Sequence, residues 1–99
     1  MTCAREKVYS LLGKVPRGKI TTYGELAEAA GTHPRAVAVF MKTNPDPMRT
    51  PCYKVIRSDG AIGGYSGPGG AKRKIALLEA DGIAVKNGRV DVKKRLHRF

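Results

Sequence analysis

Apolar residues in the first half of the chain fall at helical spacing in three successive blocks. In Arg5-Glu-Lys-Val-Tyr-Ser-Leu-Leu12, Val8, Leu11 and Leu12 stand at i, i+3 and i+4, which predicts a short amphipathic helix over 5–12, ended by Gly13. Pro16-Arg17-Gly18 reads as a turn, and a threonine of Ile20-Thr21-Thr22 is placed to cap the next helix. That second helix is predicted over about 23–30, with Leu26, Ala27, Ala29 and Ala30 as a small apolar face. After Gly31-Thr32-His33, Pro34 opens a third helix at its first turn, where a missing N–H costs nothing; Asn44-Pro45 stops it beyond Lys42. Two short helices joined by a glycine-containing turn have the outline of a helix-turn-helix over 23–42. A packed helical pair with no nucleic-acid role has the same outline.

The pattern then changes. Residues 45–51 hold three prolines, so the segment is irregular but stiff, and it delivers Cys52 into the short run Tyr53-Lys54-Val55-Ile56; the active-site loop is set at about 44–56. Six glycines between Ser58 and Gly70 make a loop that can bring backbone close to a ligand. A further helix is predicted over 71–80, with Ile75, Leu77 and Leu78 inward and Gly82 at its end. Alternating residues around Asn87-Gly88 predict a hairpin, which opens a basic hairpin and tail over 83–99. The expected architecture is mainly α with a small β-hairpin, a winged helix-turn-helix-like DNA-binding domain occupying 1–99 as one unit. No apolar run approaches the roughly 18 residues of a membrane span, and residues 1–7 carry no apolar signal core. A membrane partner and secretion are therefore not expected; the location expected is cytoplasmic (nucleoid-associated) or nuclear.

Charge narrows the partners. Nineteen Lys and Arg against eight Asp and Glu leave +11, distributed as +4 over 1–50, +2 over 51–81 and +5 over 82–99. A basic surface with an extra-basic tail suits a polyanion, because cations that neutralise phosphates release counterions. A basic protein that is only soluble, or that associates with ribosomes, satisfies the same count. Cys3, Cys52, His33 and His97 are scattered without ligand spacing, so neither a metal nor a cofactor is expected, and Cys3 is given no role.

Cys52 is the residue that bears chemistry. A lone cysteine between a stiff loop and an apolar run can be a small core hydrophobe. It reads as a nucleophile on three grounds: the rigid loop fixes the thiol, a glycine-rich loop can wall a pocket, and Lys54 with other cations can favour the thiolate.

Several ordered segments together resemble one family. They are Val15-Pro-Arg-Gly-Lys-Ile-Thr-Thr-Tyr-Gly-Glu-Leu-Ala27, Arg35-Ala-Val with Met41-Lys-Thr-Asn-Pro45, Thr50-Pro-Cys-Tyr-Lys-Val-Ile56, Gly64-Tyr-Ser-Gly67 and Lys74-Ile-Ala-Leu-Leu-Glu-Ala-Asp-Gly82. Over residues 5–83 the chain resembles the O6-alkylguanine-DNA alkyltransferases (methylated-DNA–protein-cysteine methyltransferases), matching nearly the whole C-terminal catalytic domain of longer members. The resemblance implies DNA repair by irreversible, single-turnover transfer of the alkyl group from O6-alkylguanine in double-stranded DNA to Cys52. It implies that Arg35 fills the gap left by the flipped base, that Tyr23 crowds the target phosphate, and that Thr22 and Ala36 face DNA beside them. Asn44 is implied as a brace, Tyr65 and Ser66 as pocket lining, and the Val55 backbone as the reader of the exocyclic amine. A monomer is expected. The zinc-bearing N-terminal domain of longer members is absent, which implies a stand-alone minimal form or a piece of a fusion.

Two departures stand out. The family's histidine and arginine after the nucleophile are Tyr53 and Lys54 here. The family's glutamate, which orients that histidine, falls on Asp81, with Glu79 as the weaker substitute. A phenol titrates near about 10 and is a poor base at neutral pH; its expected use is to donate a hydrogen bond to the thiolate. Two other readings remain: an alkyltransferase-like protein that binds the lesion without transfer, and a winged-helix regulator. The first commonly replaces the nucleophile with tryptophan, whereas Cys52 is retained.

Overall fold

Local capping explains where each helix begins and ends. The computed structural model describes residues 3–45, 50–63 and 70–99. Helix α1 spans Ala4–Leu12 and buries Val8 and Leu12. Strand β1, Thr21–Thr22, leads directly into α2, Tyr23–Ala30. Thr22 is the N-cap: its Oγ1 accepts from the Glu25 N–H at 3.1 Å. Gly31, at φ 69°, closes α2, with the Thr32 N–H donating to the Ala27 carbonyl at 2.8 Å, a Schellman ending that a residue with a Cβ adopts only under strain. Helix α3, Pro34–Lys42, starts with proline in its first turn, and the His33 Nδ1 accepts from the Arg35 N–H.

The predicted run after Cys52 divides in two. Cys52–Lys54 is a single 3₁₀ turn, and Val55–Ile56 is strand β2. Strands β1 and β2 pair in parallel, Thr21 opposite Val55 and Thr22 opposite Ile56. This pairing ties the entry to the helix-turn-helix to the exit from the cysteine turn. Helix α4, Gly70–Ala80, buries Leu78, while Ile75 and Leu77 are half-buried. Its inner face also carries Lys74, only 1 % exposed, where the pattern predicted apolar contact alone.

The tail departs from the prediction in detail. Asn87 (φ 53°) and Gly88 (φ 72°) make the left-handed turn that Asn-Gly favours. Its hairpin stops after one bridge, Lys86 to Arg89. The backbone of 88–90 bonds to the 60–62 loop instead: Ile62 N–H to the Gly88 carbonyl, Val90 N–H to the Gly60 carbonyl. The expected second arm turns into helix α5, Val92–Arg95, because the Asp91 carboxylate caps it by accepting from the Lys94 N–H at 3.2 Å.

Two apolar clusters result. One joins α1, α2 and α3 through Val8, Leu12, Leu26, Val37 and Met41, and includes Cys52 and Val55. The other gathers Ile20, Ile56, Ile62, Leu78, Ile83 and Val90 beneath the tail. Strand β2 contributes one residue to each, so the cysteine turn sits at their junction. No helix among the described residues is long and apolar enough to cross a membrane.

Candidate active site

Cys52 is held from both sides. Its N–H donates to the Thr50 carbonyl at 2.7 Å, and the same carbonyl accepts from Asn44 Nδ2 at 2.8 Å. Asn44, just past α3, thus braces the end of the proline loop. The thiol is buried, 6 % exposed, among residues of the first cluster.

Tyr23, the first residue of α2, packs half-buried against that cluster. Its phenol is pushed above the ordinary range, first by burial and then by the charge of Cys52, which places the two groups within electrostatic reach. A Cβ on Gly63 would stand 3.5 Å from Tyr23 Oη, so the glycine loop passes directly over the phenol. Tyr65 and Ser66, the implied pocket lining, lie outside the described residues.

Tyr53 and Lys54 do not serve the thiol as expected. The Tyr53 hydroxyl donates to Asp81 Oδ2 at 3.0 Å. Burial, and then that bond, push the phenol up to about 12, so it holds its proton throughout the neutral range. Lys54, buried, donates to the Val15 carbonyl at 3.0 Å and pairs with the same Asp81 oxygen at 3.6 Å. Asp81, not the exposed Glu79, is therefore the carboxylate that meets Tyr53. With both side chains committed to Asp81, the expected donor to the thiolate and the expected activating cation both face elsewhere.

The cation that feels Cys52 is Lys74. Its Nζ donates to the Val55 carbonyl at 2.7 Å. Burial brings its ammonium down to about 8, against an opposing pull from the charge of Cys52. Sequence reasoning missed it, although a lysine four residues before Leu78 on a face predicted to pack inward was the available signal. Between pH 8 and 10.5, folded Lys74 is neutral while the unfolded side chain still binds its proton. Unfolding therefore takes up a proton there, and stability rises with pH; below pH 8 the folded protein carries the whole desolvation cost. Measured by denaturant unfolding, the stability of the parent relative to Lys74→Met should rise by about 3 kcal/mol across that window. A difference flat with pH would show that Lys74 titrates as it does unfolded.

Arg35 is exposed near the start of α3, and its guanidinium makes no hydrogen bond or ion pair with the described residues. Ala36 beside it is half-buried. Thr22 differs from its implied place on the DNA-facing set: it is 4 % exposed and its hydroxyl is spent on the α2 cap, so it positions Tyr23 instead. Among the described residues no group of three or more His, Cys, Asp or Glu is placed to hold a metal ion.

Known proteins share this arrangement. The chain is 49 % identical over 94 residues to a bifunctional methyltransferase/endonuclease of Picrophilus torridus, covering 93 % of this chain and 30 % of that protein. It is 48 % identical over 84 residues to a methylated-DNA–protein-cysteine methyltransferase of Thermococcus kodakarensis, covering 84 % of this chain and 47 % of the relative. It thus spans less than half the length of either relative. Among solved structures it matches S. pombe Atl1 in complex with damaged DNA containing O6-carboxymethylguanine, at TM-score 0.88, 26 % identity and full coverage of both chains. It also matches Mycobacterium tuberculosis OGT in complex with DNA, at TM-score 0.74 and 36 % identity, covering 83 % of this chain and 50 % of that one. Residues 4–83 fit the family model for the DNA-binding domain of 6-O-methylguanine DNA methyltransferase, and the chain belongs to that family.

Proposed function

We propose that this chain binds double-stranded DNA containing O6-alkylguanine, extrudes the damaged base and takes its alkyl group irreversibly onto Cys52. The observation that carries the reading is the setting of Cys52: a thiol fixed by the Asn44–Thr50 brace, electrostatically coupled to buried Lys74 and facing the Tyr23 flank. A base inside a duplex cannot bring its O6 substituent to a buried thiol, so extrusion comes first. Arg35, exposed near the N-terminal end of α3, fills the vacated stack, while Tyr23 crowds the adjoining phosphate. Lys74 fixes the Val55 carbonyl; a carbonyl oxygen accepts two hydrogen bonds, so the guanine amine shares it. The thiolate sulfur of Cys52 then attacks the alkyl carbon. A C–S bond forms, the C–O6 bond breaks with its electron pair passing to O6, and guanine is restored on taking up a proton. The charge of Lys74 favours the thiolate, which takes the place of a proton-accepting histidine. Acting on chromosomal DNA places the protein in the cytoplasm or nucleus.

A second reading is lesion binding without transfer. The full-length likeness to Atl1 and the locked Tyr53–Asp81 pair, which cannot accept the thiol proton, favour it. Intact mass after mixing with duplex containing O6-methylguanine decides between them. Transfer adds one methylene, about 14 Da, on the peptide holding Cys52; tight binding with unchanged mass upholds the second reading.

A further inference from the structure

The segment beyond the family match contains a cleft that the cysteine site does not use. It encloses about 420 Å³ and is lined by Lys86, Arg89, Lys94 and Arg95, with Asp91 as its one carboxylate. The ion pairs among the described residues are Lys54–Asp81, Arg57–Asp59 and Arg98–Glu25, so none of these four cations is neutralised by one. Arg89 donates to the Asp59 carbonyl at 3.0 Å, and Arg95 to the Gly18 and Gly82 carbonyls at 3.4 and 3.2 Å. Those bonds hold the guanidiniums in place and leave their charge uncompensated. Asp91 is already engaged in capping α5. Four cations in one concavity repel each other, and an anion seated among them relieves that cost.

The position of the cleft says which anion. Arg89 is bonded to the 57–63 loop, and that loop borders the start of α2. Gly63 lies against both Tyr23 Oη and Arg57 Cγ, at 3.5 and 3.7 Å from an ideal Cβ, and Gly24 lies 3.6 Å from Ser58 Oγ by the same measure. The cleft is therefore one loop away from the Tyr23 flank. We infer that it holds a backbone phosphate of the bound duplex, beyond the extruded base on the Tyr23 side, and lengthens the footprint on DNA. The inference rests on the DNA-binding part of the reading above and not on transfer. Forked guanidiniums beside mobile ammoniums suit a phosphodiester, and continuity with the Tyr23 flank favours DNA over an acidic protein segment.

The test uses the full chain with Lys86→Ala and Lys94→Ala together. Both lysines are exposed, and neither side chain makes a hydrogen bond or ion pair with the described residues. In a salt titration with undamaged duplex, the slope of log affinity against log salt should fall by about 2, near 0.9 for each lost phosphate contact. The Lys86→Arg, Lys94→Arg variant should restore the slope. Trimming the duplex to end at the lesion on the Tyr23 side should weaken the parent and leave the alanine variant unchanged. Single-turnover transfer at saturating DNA should be the same in all three proteins. An unchanged slope overturns the inference, as does equal weakening of parent and variant on the trimmed duplex; an acidic peptide that titrates onto the parent while the slope stays unchanged assigns the cleft to a protein partner. If the slope falls but no alkyl group moves in any of the proteins, the cleft stands and the transfer reading fails.

Discussion

Cys52→Ala should bind alkylated duplex within several-fold of the parent and gain no mass from it. The affinity comes from phosphate contacts and base extrusion, in which sulfur has no part. The loss of transfer is complete because no other group can take the carbon. Cys3, the other thiol, is exposed at the start of α1, outside both apolar clusters. The substitution removes one buried heavy atom from the first cluster, which costs about 1 kcal/mol and leaves the fold intact. Gel-shift titration and intact mass on the same samples separate binding from chemistry. A variant that still clears O6-methylguanine at the parent rate would remove Cys52 from the mechanism.

Arg35→Ala should slow repair of the lesion in duplex DNA about a hundredfold, which corresponds to about 2.7 kcal/mol. Repair of the same lesion in a single strand should change by only a few-fold. Extrusion from a duplex costs a few kcal/mol in lost pairing and stacking, and a side chain that fills the gap returns part of it; a single strand needs little extrusion. The geometry suits the task. Pro34 and the His33 cap set the first turn of α3, and the Arg35 guanidinium reaches into solvent without a partner among the described residues. Substitution therefore disturbs no folded contact there. Single-turnover rates on the two substrates provide the check, and equal slowing on both would reduce Arg35 to general phosphate attraction.

Much of this protein is legible along the chain because its signals are local. The i, i+3, i+4 spacing of Val8, Leu11 and Leu12, the threonine before Tyr23, Gly31 and Pro34 each act within a turn or two of themselves, and the helices form where they indicate. Three prolines before Cys52 mark a braced residue, and the ordered motifs around it identify the family. What escaped notice depends on contacts between distant segments. Two residues are too few to show a strand period, so the pairing of Thr21–Thr22 with Val55–Ile56 has no signature before the chain folds. The same holds for Tyr53 and Lys54: their types are plain, but only the approach of Asp81 at the end of α4 turns both away from the thiol. Lys74 reads as one more surface cation until α4 packs over β2 and the Val55 carbonyl meets its ammonium. The tail illustrates both sides. Its charge can be counted from the sequence, but whether that charge disperses into solvent or gathers in a cleft is decided by Asp91 capping α5 and by the 60–62 loop taking the hairpin's hydrogen bonds. Helix periodicity and capping are properties of neighbours in sequence; burial of charge and choice of partner depend on which distant surfaces exclude water together.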